Sequence, residues 1–289
     1  MADVFQIKPR TKRRLLSIGR AHAGLVTGLV LLTGFFALAF SGQLLDLPDP
    51  DKMDLLARLA PPSDAHILGT DHLGRDLLAR VVSAIPVSLG SALITMALIF
   101  AIGLPWGLIA GLAGGRVDAV MMRFADIVMA FPMLVLALAI IGFMGASLEA
   151  SMIGIAAGWW PSNARLVRAL VLSAKKRDFV RAARLAGASR SRTILRHILP
   201  QILPPLAVVI SLDTASVLLA LSSLSFLGIG AQPPNAEWGA MLNEARPFFA
   251  QAPHMLFIPG LAVTLAVLAF NLVGEGVRDL LDQRQPYQW

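Results

Sequence analysis

The chain has 289 residues, 56% of them hydrophobic and 15% charged, with a mean hydropathy of +0.69 and a formal net charge of +7. That balance is too apolar for a soluble domain of this size and describes a polytopic membrane protein. The positive charge does not point to nucleic acid, because the basic residues fall between apolar runs; the lack of cysteine excludes disulfides, thiolate metal sites and a cysteine nucleophile.

The first stretch, 1–20, carries Lys8, Arg10, Lys12, Arg13, Arg14 and Arg20, and the apolar run 21–40 is long enough to cross about 30 Å of hydrocarbon as a helix. This pattern puts the N-terminus in the cytoplasm. Ala37-Leu38-Ala39 also resembles a cleavage site, but the basic leader is long for a signal peptide. Residues 41–86 turn acidic, with Asp46, Asp49, Asp51, Asp54, Asp64, Asp71 and Asp76, and are expected to form an external loop. In its second half Gly69 and Gly74 permit tight turns that Asp71, Arg75 and Asp76 can cross-brace. His66, Asp71 and His72 read alternatively as metal ligands; bracing is preferred, since a third nitrogen ligand is lacking nearby, and no metal site is assigned.

A core of five further spans is expected over 87–282, with a short tail at 283–289. The second span, 87–112, carries Gly103, Gly107 and Gly111, with Gly115 continuing the four-residue step, a face that lets another helix approach closely. Gly24 with Gly28 and Gly154 with Gly158 repeat this more weakly. A cytoplasmic turn over 114–123 leads to the third span, 124–144, where Asp126 is expected to meet an arginine. The fourth span, 150–171, ends with Arg165 and Arg168, which can snorkel to the cytoplasm. Pro204 and Pro205 are expected to start the fifth span, and 255–273 forms the sixth. Asp213, deep in the fifth span, costs about 2.5–3.5 kcal/mol on insertion scales and must face protein or a water-filled path. It is the pore-lining candidate; the alternative is a structural bond to a neighbouring helix.

Between the fourth and fifth spans lies the basic loop 173–203. Asp178 can open a short helix there by meeting the exposed N–H groups of its first turn, and Gly187 can close it by adopting positive φ. Arg177, Arg181 and Arg184 make one stripe, while Phe179, Val180, Ala183 and Ala186 form an apolar face suited to a partner's groove. On charge alone this is a cytoplasmic loop touching lipid headgroups. Six spans with both termini inside put 20 of the 25 lysines and arginines on the cytoplasmic side.

RAARLAG, Arg181 to Gly187, with HILP, His197 to Pro200, resembles the EAA loop of ABC importer permeases. Ala182, Ala183, Gly187, Leu199 and Pro200 match that motif, whereas Arg181 replaces its glutamate and His197 stands where many members carry isoleucine. The HxLGTDxxGRD pattern of His66, Gly69, Thr70, Asp71, Gly74, Arg75 and Asp76 resembles permeases of the dipeptide, oligopeptide and nickel family with a long external N-terminal loop. The segments Ser225 to Leu242 and Phe270 to Asp282 resemble the same family.

The resemblance implies an all-α type I ABC importer permease in the bacterial cytoplasmic (inner) membrane. It further implies a coupling helix, Asp178, Phe179, Arg181, Ala182, Ala183, Arg184, Gly187 and Ala188, docked on an ATPase. The implied partners are a second homologous permease, two ABC ATPase subunits, an external solute-binding protein and membrane lipid; nucleic acid is not among them. No GxxxxGKS or GxxxxGKT loop occurs, so no cofactor is expected here, ATP and Mg belonging to the ATPase subunits. No GxSxG elbow or HExxH helix suggests an enzyme. Short peptides are the expected cargo, with nickel or a nickel chelate as the alternative. An ion-coupled carrier would need a relay of buried ionisable groups, for which only Asp213 qualifies.

Overall fold

The computed structural model describes residues 10–41 and 47–282, and every regular element among them is helical. Lys8, Asp46, the tail 283–289 and the side chains of Arg10, Lys12, Arg13, Arg14, Arg20 and Arg184 lie outside the described residues. Four stretches are long and apolar enough to cross a membrane: Ala23–Ser41 within α1 (Arg10–Ser41), α2 (Leu77–Ala113), Arg190–Phe226, and His254–Leu281 within α10 (His254–Asp282).

The third span differs from expectation. It is a pair of helices, α3 (Gly115–Met129) and α4 (Met133–Met144), bent by 79°. Pro132 accounts for the break: it has no N–H to bond back and disfavours helical backbone at Phe131, so the chain leaves α3 and restarts at Met133. The expected turn over 114–123 is itself helical, the reversal being made by Gly114 and Gly115 at φ +68° and +57°.

Two spans begin earlier than expected. α2 starts at Leu77, because the Asp76 carboxylate caps it by accepting from the Ala79 N–H at 2.9 Å. The fifth runs through α7 (Arg190–Thr193), a π turn at Ile194–Ile198 and α8 (Leu199–Phe226), so Pro204 and Pro205 lie inside the helix. The Leu199 N–H reaches back to the Ile194 carbonyl, and this wide turn makes room where Pro200 has no N–H.

α5 (Leu148–Lys175) is long enough to span but less apolar, and it packs against α2, α3, α4 and α8. Its contact with α2 is close: a Cβ on Gly107 would meet the Ala164 carbonyl and stand 2.6 Å from Val167 Cβ, and one on Gly111 would stand 2.9 Å from Val171 Cβ. Gly103 faces the Trp160 carbonyl in the same way, whereas Gly115 opens α3 with space around it and does not belong to the series. Gly28 lies against Ala269 of α10, and Gly154 and Gly158 lie against Ala137 and Met133 of α4. The core between these helices includes Ile85, Leu89 and Ile99 of α2, Ile155 and Trp160 of α5, and Leu218 and Leu221 of α8.

Gly107→Ala is expected to overpack this contact by about 1–3 kcal/mol and lower the thermal midpoint of the purified protein. Gly90→Ala, with nothing within 4 Å of the added carbon, is expected to leave it unchanged. Equal midpoints in the two variants would show that α2 and α5 are not held at contact distance.

Candidate functional site

The chain from His66 to Asp76 closes into a compact brace. Leu77 N–H bonds to the Gly69 carbonyl and Asp71 N–H to the Arg75 carbonyl, both at 3.0 Å, with Gly69 and Gly74 at positive φ. A Cβ on Gly74 would overlap the Asp54 carbonyl, so the position requires glycine twice over. Thr70 Oγ1 donates to the Ala57 carbonyl and accepts from Ala60 N–H at 2.9 Å. His66 Nδ1 lies 2.9 Å from Asp76 Oδ2.

At the centre Asp71 accepts from the Leu73 and Arg75 N–H groups and from Arg75 Nε at 2.6 Å, while Arg75 Nη2 reaches Glu244 Oε2 at 2.8 Å. Arg80 lies 3.5 Å from both carboxylates and 3.4 Å from Asp51. Arg75 and Arg80 are only 2% and 1% exposed, so each buried cation depends on Asp71 and Glu244. Glu244 sits on α9 (Trp238–Ala245), whose N-terminus is capped by Glu237. Trp238, fully buried, donates its indole N–H to the Val81 carbonyl at 3.1 Å and its backbone N–H to Ser88 Oγ. The two family-like outer segments are therefore one unit.

His66 and His72 do not converge on a metal. His72 stacks on Phe248 at 5.5 Å, and burial pushes its pKa down, against the opposing pull of Asp71 and Glu244. Asp71, His72 and Glu244 do place one ligand atom each within 4.8 Å of one another, but a divalent cation there would have to displace the guanidiniums of Arg75 and Arg80.

Midway along α8, half-buried Asp213 accepts from Trp159 Nε1 at 3.3 Å and Asn163 Nδ2 at 3.1 Å, both on α5. The same face of α8 carries exposed Ser216 and Ser223. Toward its C-terminal end α5 is pinned by charge. Arg168 grips Asp118 with Nε and Nη2, both at 2.5 Å, Arg165 pairs with Asp126, and Lys175 Nζ caps the end of α2 at the Gly111 and Leu112 carbonyls, 2.8 and 3.0 Å away. Arg165 and Arg168 thus each pair with a carboxylate, and Asp126 finds the arginine expected of it.

The helix predicted from Asp178 is α6 (Asp178–Leu185), followed by Gly187 at φ +83°. Its apolar residues do not share one face. Val180 is fully buried against Val167, Val171, Ile198, Ile202 and Leu206, whereas Phe179 and Leu185 are 42% and 90% exposed. Arg181, Ala182 and the Asp178 carboxylate are exposed, and Ala183 and Ala188 are half-buried. Arg177 Nη1 donates to Gln201 Oε1 at 3.1 Å and ties the helix start to α8.

Residues 103–286 match the family described as binding-protein-dependent transport system inner membrane component. The chain is 42% identical over 254 residues to the nickel transport system permease protein NikC of Escherichia coli strain K12, covering 88% of this chain and 92% of that protein. It is 41% identical over 259 residues to the probable D,D-dipeptide transport system permease protein DdpC of the same strain, covering 90% and 87%. This chain belongs to the family of binding-protein-dependent inner-membrane permeases. The dipeptide transport system permease protein DppC of Alkalihalophilus pseudofirmus is 40% identical over 261 residues, covering 90% and 85%. The fold is that of a type I ABC importer permease: a chain of the MetNI methionine ABC transporter in an inward-facing form matches with a TM-score of 0.56 at 18% identity, over 70% of this permease and 94% of that chain.

Sequence reading missed four residues of the outer unit: Arg80, Glu237, Trp238 and Glu244. The available signs were an arginine inside an apolar run and a glutamate just before Trp238, in the N-cap position of a short helix.

Glu244→Ala leaves Arg75 and Arg80 with one buried carboxylate and is expected to destabilise the purified permease by about 3–5 kcal/mol, measured by thermal melting. Asp64→Ala, at an exposed position, is the control. Because the folded-state pKa of His72 is below its ordinary 6.5, its neutral form is favoured by folding, and the corresponding stability is present above that value and lost as pH falls below it. The melting midpoint is therefore expected to drop between about pH 7.5 and 5.5, and less so in His72→Phe, which keeps the stack on Phe248.

Proposed function

We propose that this permease is one transmembrane half of an ATP-driven importer that passes short peptides, delivered by an external solute-binding protein, into the cytoplasm. It pairs with a second, homologous permease. Two ABC ATPase subunits sit below, one at each coupling helix, and hold the ATP and Mg; this chain, without a phosphate-binding loop, is not catalytic. The observation that carries the reading is α6, a short helix anchored by one buried valine that turns an apolar and basic surface outward to water.

Asp178, Phe179, Arg181, Ala182, Ala183, Arg184, Gly187 and Ala188 form the docking segment. Closure of the ATPases moves it, Val180 and the Arg177–Gln201 contact pass the movement to α5 and α8, and the bundle rocks to open the path outward. Asp213 lines that path with Ser216 and Ser223, since a carboxylate and hydroxyls on the open side of a spanning helix face water or protein rather than lipid. On the outer face the brace of His66, Gly69, Thr70, Asp71, Gly74, Arg75 and Asp76 holds the surface on which the binding protein lands.

Nickel or a nickel chelate is the second reading, favoured by the likeness to NikC. Peptide is preferred because two of the three relatives named above carry dipeptides by name, and because the gathered ligand atoms among the described residues lie outside the spans, against two arginines.

Leu185→Asp is expected to reduce co-purification of the ATPase subunits about tenfold, roughly 1.4 kcal/mol, while the permease still inserts and pairs. Gly187→Pro, which cannot adopt φ +83°, is expected to leave ATP hydrolysis running without uptake. Normal ATP-driven peptide uptake in both variants would sink the lever; nickel uptake without peptide uptake in the unaltered complex would move the cargo to the second reading.

A further inference from the structure

The polar group in the middle of the bundle is incomplete, and incomplete in one chemical sense. Asp213 Oδ2 receives the Trp159 and Asn163 donors, but Oδ1 has no hydrogen bond among the described residues. Asn163, 2% exposed, uses its amide nitrogen on Asp213 and leaves its buried Oδ1 without a partner. No lysine, arginine or histidine among the described residues forms an ion pair with Asp213. Asn163 Oδ1 on α5 and the free oxygen of the Asp213 carboxylate on α8 thus stand on facing helices, linked through the Asn163 Nδ2 contact, with no donor to either among the described residues.

A buried acceptor without a donor is costly, and a carboxylate in a membrane span more so. Whatever completes the group must supply N–H or O–H donors, and positive charge is favoured. A primary ammonium has three donors and no acceptor, the complement of this pair. A divalent nickel ion is a poorer match, since it prefers imidazole and several ligands at once, and this place offers two oxygens and no imidazole.

We propose that Asp213 Oδ1 and Asn163 Oδ1 form a transient binding site for the cationic amino terminus of a peptide in transit. The proposal deepens the peptide-importer reading and rests on it. Its strength is limited in a useful way. Asp213 already has one oxygen engaged by Trp159 and Asn163, so it offers a single oxygen to the ammonium, and a site on a transport path must release what it holds. Such a site gives preference for a free amino terminus whatever the side chains that follow.

The test uses the complete transporter, assembled with its second permease and ATPases, purified without the binding protein. Glycylglycine and N-acetyl-glycylglycine are compared by saturation-transfer NMR, which reads weak binding. The unaltered complex is expected to bind the free-amine peptide at least about tenfold more tightly, a difference of roughly 1.4 kcal/mol. Asp213→Asn is expected to erase the preference. Asn163→Ala, which keeps the charge, is expected to weaken it severalfold, and Leu219→Ala, at an exposed position of α8 outside the path, to leave it intact. Equal binding of both peptides by the unaltered complex, binding of neither, or a preference that survives Asp213→Asn overturns the proposal; any of these also follows if a side chain of the second permease completes the group. ATP-driven uptake of glycylglycine, measured in vesicles with the binding protein present, separates this from failure of the importer reading, which would abolish uptake altogether.

Discussion

The close approach of α2 and α5 governs the rest of the molecule. Backbones can meet at that distance only where side chains are absent, and Gly103, Gly107 and Gly111 remove them at three positions four residues apart. Once α5 lies there, Lys175 falls beside the last carbonyls of α2, Arg168 beside Asp118, and Trp159 with Asn163 beside α8. The end of α5 then launches α6 from a fixed point. Residues of ordinary size at those three glycines would displace Asp213's partners and α6 together.

The joint between the loop before α2 and α9 follows a different rule. There, burial of two guanidiniums is tolerated because Asp71 and Glu244, 173 residues apart in number, meet between them. Such a cluster adds little net stability over an apolar equivalent, yet it is intolerant of losing one member. It therefore acts as a test of assembly: the loop before α2 and the helix α9 pack properly only when both carboxylates arrive. Trp238, filling the space beneath and bonding to Val81, adds the apolar half of the same joint.

Much of this was legible in order along the chain. The glycine steps announce a close helix contact because nothing else explains glycine at that period in an apolar run, and they mislead only at Gly115, where the spacing outlasts the helix. The glycine and aspartate pattern before α2 announces a brace because its turns need positive φ. What stayed hidden was direction and distance. Hydropathy does not record that the chain turns through 79° at Pro132, since the two arms pass as one apolar stretch when taken together. Nor does a local pattern show that Arg75 awaits Glu244, or that of four apolar residues assigned to one face of α6, Val180 alone turns inward completely while Phe179 looks out. The two starts misplaced by 10 and 14 residues have local causes, an N-cap at Asp76 and a π turn ahead of Pro200, each weaker than the run of apolar residues beside it.

The π turn at Ile194–Ile198 carries a consequence for azimuth. It holds one residue more than an α-helical turn, and in a helix each residue is worth about 100° of rotation about the axis. Everything beyond it is clocked by that extra residue relative to α7 and the docking segment. Asp213 lies 15 positions past Ile198, yet the compass bearing on which it stands, toward α5 rather than toward the hydrocarbon, is set by whether those five residues keep their wider winding.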